Sequence, residues 1–154
     1  MAFDTDMIGP MGYIADVSRT WLCGNKANQQ QMDAYRHAYD EIHYNMQLIK
    51  PGVSFKELCD NAFVRQPKYK AHRYVCSYHG VGLSDEYPKI YYQEDWPRDG
   101  YDGILQENMV LCVESFSGAE GEKEGVKLEN QVLVTADGFE LLSDYPFDDT
   151  LLGH

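Results

Sequence analysis

Six side chains in this sequence are of the types that bind divalent metal ions, and they interrupt segments that are otherwise apolar. Five are carboxylates and one is an imidazole: Asp4, Asp6, Asp16, His79, Glu114 and Glu129. An unpaired charge inside an apolar strand costs several kcal/mol, so acids that cluster there need a cation. Hard oxygen donors with one imidazole suit divalent iron, manganese, cobalt or zinc better than a thiolate site would. The sequence therefore indicates a metal site if these segments converge.

Short strands carry most of these residues. Residues 2–22 mix apolar side chains with glycine and proline, which predicts two short strands joined by a turn. Because side chains alternate along a strand, Asp4 and Asp6 are expected on one face of the first strand, with Asp16 on the second. Residues 109–115 and 127–135 are apolar runs separated by SGAEGEKEG, which predicts a β-hairpin with Glu114 and Glu129 on its two arms. A last short strand is expected at residues 139–142.

Two helices are expected between these strands. In residues 29–49, apolar side chains recur at steps of three and four, which predicts one long helix with a single apolar stripe. The stripe consists of Met32, Tyr35, Tyr39, Ile42, Met46 and Ile49. Ser54 followed by Glu57 is a capping-box signature for a second, shorter helix. Beyond it, a strand is expected at residues 74–76, then His79 in a glycine-bearing segment, and a long structured loop over residues 85–103.

Length and charge narrow the class of protein. At 154 residues the chain is long enough for one domain, and no linker or repeat divides residues 1–154. The formal charge of -12 would repel phosphate backbones and anionic lipid surfaces, so neither nucleic acid nor a membrane is an expected partner.

The four cysteines and the N-terminus indicate a reducing compartment. Cys23, Cys59, Cys76 and Cys112 are widely spaced and contain no CxxC pair, so they are expected to be buried thiols without structural zinc. The segment MAFDTDMIG lacks the basic start and apolar run of a signal peptide, and no stretch is apolar enough for a membrane span. We expect a cytoplasmic protein.

Four motifs in order carry a family resemblance: FDTDMIGPMGYIADVSRTW, YHGVGL, VLCVES and GVKLENQVLVT. Together they resemble the fingerprint of the creatinase, prolidase, aminopeptidase P and methionine aminopeptidase family, from Asp4 to Thr135. The resemblance implies an α+β pita-bread fold, with an antiparallel curved sheet and helices on its outer face. It also implies that residues 1–154 are the C-terminal, metal-binding half of one catalytic domain. The first half would be supplied by a longer protein or by another piece, and the full-length family member is expected to be a homodimer.

The resemblance also assigns roles to the metal-binding candidates. It implies a two-ion site with five ligands, namely Asp6, Asp16, His79, Glu114 and Glu129, in which Asp16 and Glu129 bridge the ions. Asp4 is a sixth candidate. Iron is the favoured metal, with manganese, cobalt and zinc as alternatives.

Two segments distinguish the expected chemistry from peptide hydrolysis. Peptidases of this family carry a second histidine shortly after the glycine segment and a Pro-Gly pair after the first glutamate, whereas this sequence has HGVGLSDEYP and VESFSG. These segments look like the branch of dimethylsulfoniopropionate lyases of the DddP type. That resemblance implies that Asp85 removes a proton next to the carboxylate of a small sulfonium substrate, releasing dimethyl sulfide and acrylate by β-elimination.

Aromatic residues near His79 could enclose the sulfonium through cation–π contacts of about 0.5–2 kcal/mol each. The candidates are Tyr74, Tyr78, Tyr87, Tyr91, Tyr92 and Trp96, of which most are expected to be packing residues and Tyr74 is the favoured contact. Two other functions stay open: a metal-dependent Xaa-Pro aminopeptidase or prolidase-like hydrolase, and a family member that has lost activity and binds a partner. The missing second histidine argues against the hydrolase, and the complete ligand set argues against the inactive module.

Overall fold

The computed structural model describes the whole chain, Met1–His154. In chain order the elements are β1 (Ala2–Asp4), β2 (Met7–Ile8), β3 (Ile14–Ala15), β4 (Ser18–Thr20), α1 (Gln29–Met46), α2 (Phe55–Asn61), β5 (Cys76–Gly80), β6 (Lys89–Tyr91), α3 (Trp96–Asp99), β7 (Val110–Gly118), β8 (Gly125–Val134), β9 (Phe139–Leu141) and α4 (Asp149–Leu152). None of the helices is long and apolar enough to span a membrane.

The N-terminal segment is more broken than the sequence predicts. β1 pairs antiparallel with β4, and β2 pairs antiparallel with β3, so two short ladders replace the two expected strands. The chain turns at Asp6, whose φ of 37° is outside the extended region. The prediction that Asp4 and Asp6 share one strand face is therefore wrong, because the strand ends at Asp4. Asp16 likewise lies between β3 and β4 rather than within a strand.

α1 confirms the predicted long helix. Asn28 caps its first turn through a capping box with Gln31. Tyr35, Ile42 and Met46 of the predicted stripe are fully or almost fully buried. The helix ends at Met46, before the Pro51-Gly52 pair. Its buried face packs on β7 and β8, so the helix covers one face of the main sheet.

α2 confirms the second predicted helix and its cap. The Ser54 side chain accepts a hydrogen bond from the backbone of Glu57, whose own side chain returns one to the backbone of Ser54. Phe55 and Leu58 form the apolar side of α2, and both are buried in the core.

The main sheet has five antiparallel strands in the order β6-β5-β7-β8-β9. β7 and β8 form the predicted hairpin, in which Glu114 lies opposite Glu129. β9 confirms the expected last strand. His79 lies within β5, opposite Cys112 of β7, and β5 begins at Cys76, two residues later than expected.

Part of the expected long loop is ordered secondary structure. Residues 85–103 contain β6, which pairs with β5, and the short helix α3. The sequence gives little sign of either element, because each is too short to show a period. The C-terminal helix α4 is also absent from the sequence-based prediction.

The two faces of the sheet have different chemistry. Leu111, Val113 and Leu128 point into the apolar core beneath α1. Because side chains alternate, the residues between them point to the opposite face. That face carries Cys112 and Glu114 from β7 and Glu129 from β8.

Candidate metal centre

His79 lies at the middle of a buried acidic cluster. Its Nε2 is 3.1 Å from Glu129 Oε1, 3.4 Å from Glu114 Oε1 and 3.7 Å from Asp16 Oδ2. Burial lowers the pKa of His79, but the hydrogen bond to Glu129 and the charges of Glu114 and Glu129 outweigh it and raise the pKa to about 9. In the absence of metal, the imidazole is thus held as a cation by its neighbours.

Asp16 is buried and incompletely partnered. Its side chain is only 3% exposed, and its Oδ1 makes no hydrogen bond. Burial, followed by the charge of Glu129, raises its pKa to about 8. The side-chain oxygen of Gln131 accepts a hydrogen bond from the backbone N–H of Asp16, which fixes this residue against β8. A buried oxygen without a donor is the kind of group that a cation would satisfy.

Glu114 and Glu129 face each other across the β7–β8 hairpin, and both are fully buried. Burial and the charge of Glu129 raise the pKa of Glu114 to about 8. Glu129 Oε2 accepts a hydrogen bond of 2.7 Å from the hydroxyl of Ser18. Two buried acids side by side repel each other unless a proton or a metal ion lies between them.

Lys127 is a partly buried cation at the edge of this cluster, with its side chain 13% exposed. Its Nζ pairs with Asp4 and lies 3.2 Å from Glu114 Oε2 and 3.6 Å from Glu129 Oε2. Asp4 is also held by the Ser18 hydroxyl at 2.6 Å. Although burial raises the pKa of Asp4, the hydrogen bond from Lys127 contributes to a net lowering. Both carboxylate oxygens of Asp4 therefore have protein partners, whereas Oδ1 of Asp16 has none.

Asp6 and Asp85 form the more exposed side of the cluster. Carboxylate oxygens of Asp6, Asp16 and Asp85 lie within 4.8 Å of one another. Burial and a hydrogen bond with Asp85 raise the pKa of Asp6. Asp85 Oδ1 accepts a hydrogen bond from the backbone of Glu86 and lies 3.8 Å from His79 Nδ1. Asp85 thus reaches the cluster while its side chain remains 23% exposed.

The turn that carries Asp85 approaches β5 closely at Gly80. The backbone N–H of Gly80 donates to the carbonyl of Pro88 at 2.8 Å. A side chain at Gly80 would collide with the carbonyl oxygen of Tyr87. Glycine is needed here because the turn backbone occupies the space of a Cβ.

Of the aromatic candidates, Tyr74 lies at the cluster. Its hydroxyl donates to Glu86, and the Lys127 ammonium lies 4.6 Å from its ring centroid. Tyr78 and Tyr92 are instead buried, the first with its hydroxyl on the Asn45 carbonyl and the second under the guanidinium of Arg65. Tyr87 is exposed and stacks on Tyr101. Tyr78 and Tyr92 are therefore packing residues, and the expectation for the other aromatic candidates stays a prediction.

The donor set fits a divalent metal ion. Donor atoms of Asp16, His79, Cys112 and Glu129 lie within 4.8 Å of one another, all four residues being buried, and the acidic group of Asp6, Asp16 and Asp85 adjoins them. Asp16 Oδ1 provides a buried oxygen that nothing in the protein satisfies. Clustered carboxylates with one imidazole match the preferences of first-row divalent ions.

Two residues of the site escaped the sequence analysis. A strand lysine such as Lys127 is normally a surface residue, and the spacing of Cys112 indicates only a buried thiol. Side chains two residues apart in a strand lie on the same face. Lys127 is two residues before Glu129, and Cys112 is two residues before Glu114, so this spacing could have indicated both residues. The expectation of four buried cysteines is wrong for Cys23, which is exposed.

The fold and the site together define a metalloenzyme family. Residues 1–136 match metallopeptidase family M24, and the chain belongs to this family. Solved structures agree: an X-Pro aminopeptidase from Thermotoga maritima superposes with a TM-score of 0.74 at 27% identity, over 89% of this chain and 37% of that chain. A prolidase from Pyrococcus horikoshii gives a TM-score of 0.79 at 25% identity, over 95% of this chain and 40% of that one. The predicted pita-bread fold is thereby confirmed.

Two curated relatives that match nearly the whole chain are named as the same enzyme. The dimethylsulfoniopropionate lyase DddP of Roseovarius nubinhibens is 43% identical over 154 residues, which is 99% of this chain and 34% of that protein. The enzyme of the same name from Roseobacter denitrificans is 42% identical over the same shares. The chain spans about a third of the length of these relatives. The predicted resemblance to this branch of the family is confirmed.

Proposed function

We propose that this chain carries the metal-binding site of a metal-dependent carbon–sulfur lyase that cleaves dimethylsulfoniopropionate to dimethyl sulfide and acrylate. The observation that carries the proposal is the identity of 43% with a named lyase, spread over 99% of the chain. The placement of Asp85 supports it, because a carboxylate that reaches the cluster yet stays partly exposed is accessible to a bound substrate.

Asp6, Asp16, His79, Glu114 and Glu129 would hold the metal. The pair formed by Asp4 and Lys127 is close to neutral by itself, which leaves four carboxylates in the ligand set. Two divalent ions would balance these four charges, so the charge balance favours a two-ion site. Asp4 remains a sixth candidate, but it would have to exchange Lys127 for the metal. Iron is the favoured ion, and manganese, cobalt and zinc suit the same donors.

A bound divalent ion would supply Lewis-acid polarisation of the substrate carboxylate. Asp85 then accepts the proton from the carbon next to that carboxylate. The electron pair of the C–H bond forms the new C=C bond, and the pair of the C–S bond leaves with sulfur. The products are acrylate and neutral dimethyl sulfide, and the proton on Asp85 returns to solvent.

Tyr74 is the proposed contact for the sulfonium. Its ring can bind a cation by a cation–π interaction of about 0.5–2 kcal/mol. The Lys127 ammonium lies 4.6 Å from the ring centroid and covers one side of the ring. The sulfonium would therefore have to use the opposite face, where Lys127 does not repel it.

A metal-dependent Xaa-Pro aminopeptidase or prolidase-like hydrolase is the alternative. The structural relatives at 25–27% identity bear such names. His79 is the one histidine in the two acidic groups of the site. Asp85 follows the glycine segment, where the family resemblance implies a second histidine in a peptidase. A hydrolase would thus lack an imidazole donor for the tetrahedral intermediate.

The remaining expectations concern the whole protein. The chain would work as part of a longer protein, because its named relatives are about three times as long. That protein would be a homodimer and would act in the cytoplasm on a small sulfonium carboxylate, without a nucleic-acid or membrane partner.

The direct test is headspace detection of dimethyl sulfide from dimethylsulfoniopropionate. The protein is expressed from its complete reading frame, stripped of metal and reloaded with iron(II) under anaerobic conditions. We expect release of dimethyl sulfide that depends on metal. Folded, metal-loaded protein that releases none, but hydrolyses proline-containing dipeptides, would establish the alternative.

Asp85→Ala tests the role of the proposed base. We expect loss of dimethyl sulfide release by about 10²-fold or more, with metal content unchanged, since general-base groups contribute this much to rates. The control is Asp137→Ala, which changes an exposed aspartate in the turn between β8 and β9. Depletion of metal in Asp85→Ala would show that Asp85 is a ligand instead.

A further inference from the structure

Cys112 is a fully buried thiol on the metal-site face of the sheet. In β7 it lies two residues before Glu114, so both side chains point to the same face. It is opposite His79 of β5 on one side and Gln131 of β8 on the other. The register of the sheet therefore places this sulfur beside the imidazole, and an apolar side chain of similar size would serve equally well if packing were its only task.

The distances make Cys112 part of the donor group. One donor atom each from Asp16, His79, Cys112 and Glu129 lies within 4.8 Å of all the others. Ligands of a tetrahedral ion, each about 2.0–2.3 Å from the metal, are separated by less than that. Small side-chain rotations would then be enough to bring all four atoms into contact with one ion.

A second observation points to an ion at this place. Asp16 is 2% exposed, and its Oδ1 has no hydrogen-bond partner. The Cys112 thiol, for its part, has only a weak hydrogen bond to the backbone carbonyl of Asp16, at 3.6 Å. Asp16, with an unpartnered carboxylate oxygen, and Cys112, with a weakly bonded thiol, thus both belong to the donor group that contains the His79 imidazole.

We infer that Cys112 is a direct sulfur ligand of the metal ion held by Asp16, His79 and Glu129. The inference deepens the proposed metal centre, on which it rests. On binding, the S–H bond breaks, its proton leaves to solvent, and the sulfur forms a bond to the divalent ion without any change of oxidation state. One soft donor among hard oxygens biases the site toward iron(II), cobalt, zinc and cadmium, and away from manganese and magnesium.

Cobalt(II) and cadmium(II) give a direct readout, because a thiolate bound to either ion produces a charge-transfer absorption that oxygen and nitrogen ligands do not. Metal-free protein expressed from its complete reading frame is titrated with each ion. We expect the absorption in the unchanged protein and its loss in Cys112→Ser, which still binds cobalt. Affinity for cadmium should fall by about tenfold or more in that variant, while affinity for manganese changes less.

Two other cysteines provide matched controls. Cys59→Ser removes a buried thiol in α2 that is outside the donor group. Cys76→Ser removes a thiol that lies 3.6 Å from Glu114 Oε1 but outside the same group. Both variants should keep the absorption. An absorption that persists in Cys112→Ser, or disappears in Cys76→Ser, would overturn the assignment.

The test distinguishes this inference from the proposed function. Protein that releases dimethyl sulfide but shows no sulfur-to-metal absorption with cobalt or cadmium would refute the Cys112 ligand and leave the lyase proposal standing. The absorption without any dimethyl sulfide would do the opposite. If Cys112→Ser does not fold, a protein in which every cysteine of the complete reading frame except Cys112 is replaced by serine decides the matter. It must retain the full absorption, and loss of the absorption would overturn the assignment.

Discussion

Lys127 brings a positive charge into the acidic cluster. Burial lowers its pKa, but the charges of Glu114 and Glu129 outweigh burial and raise it. The lysine is therefore charged in the metal-free protein. Its ammonium pairs with Asp4 and also lies near Glu114 and Glu129, so it offsets part of their negative charge.

Replacing Lys127 with methionine should destabilise the metal-free protein more than the metal-loaded one. Without metal, Asp4, Glu114 and Glu129 lose their nearest lysine, and an uncompensated buried charge costs about 3–5 kcal/mol. Bound metal would supply the missing charge. Chemical denaturation of Lys127→Met, in chelator and in saturating metal, measures the difference, and Lys123→Met in the exposed hairpin tip is the control. Equal losses in the two conditions would contradict a role for Lys127 in balancing the site.

The residue types of the metal centre could be predicted from the sequence, but not all of their environments. Glu114 and Glu129 follow from the apolar hairpin pattern, and their pairing is confirmed. Asp4 and Asp6 could not be separated by pattern alone, since the interruption at Asp6 depends on a backbone conformation that alternation does not report. The position of Lys127 cannot be predicted from local pattern, because it depends on contacts with the N-terminal strands, where the Thr20 hydroxyl donates to its carbonyl and Asp4 pairs with its ammonium.

At the scale of elements, a buried ion pair joins α1 to the strand that carries Glu114. Arg65 pairs with Glu41 of α1, and its guanidinium also donates to the carbonyl of Phe116 in β7 at 2.6 Å. The hydroxyl of Ser115 donates to the same carboxylate. Ser115 directly follows Glu114, so this network holds β7 from the side opposite the metal centre.

Arg65→Met should cost about 3–5 kcal/mol of unfolding free energy, because it leaves the Glu41 charge buried without its partner. The double variant Glu41→Leu with Arg65→Met should recover much of that loss, since no charge then remains buried. Denaturant unfolding of both variants measures the energies. The solvent-accessible pair of Lys56 and Asp60 is the comparison, where Lys56→Met should destabilise the protein much less than Arg65→Met. A double variant as unstable as Arg65→Met would disprove this account.

The long elements could be predicted from the sequence, whereas the short ones could not. α1 and the β7–β8 hairpin show a period over many residues, and both are confirmed. β6, α3 and α4 have three or four residues each, so their formation depends on the partners they pack against. β6 exists because β5 offers it an edge, which no local pattern encodes.

At the scale of the whole molecule, the acidic cluster makes stability depend on pH. Asp16 and Glu114 have pKa values of about 8 in the folded protein, mainly through burial and the charge of Glu129. When folding raises the pKa of a carboxyl, its contribution to stability is fully present at pH values below its pKa in the unfolded chain. This contribution is lost as the pH rises to about 8, the pKa in the folded protein. His79, with a pKa of about 9, acts in the same direction between its usual value and 9. Asp4 contributes in the opposite direction, because its pKa is lowered in the folded protein. Its contribution to stability changes only below about pH 4.

The metal-free protein should therefore be less stable at about pH 8.5 than at about pH 5.5. Even a loss of about 1 kcal/mol would lower Tm by about 2–4 °C for a chain of this size. Metal should reverse the trend, because protons compete with the ion for the same ligands and bind less at high pH. Thermal unfolding in chelator and in metal, at both pH values, gives the comparison. A chelated protein with a higher Tm at the higher pH would be incompatible with the raised pKa values.

The candidate ligands are far apart along the chain, which affects when a metal ion can bind during synthesis. His79 and Glu129 are 50 residues apart in the chain, and Ser18 reaches Glu129 across 111 residues. Such distant contacts form slowly, because the intervening loops must close first. A nascent chain that has not yet extended β8 from the ribosome has no complete set of ligands. We therefore expect the full ligand set to capture metal only after β8 has paired with β7, so that an ion held by all of these residues would mark a chain in which this hairpin has formed.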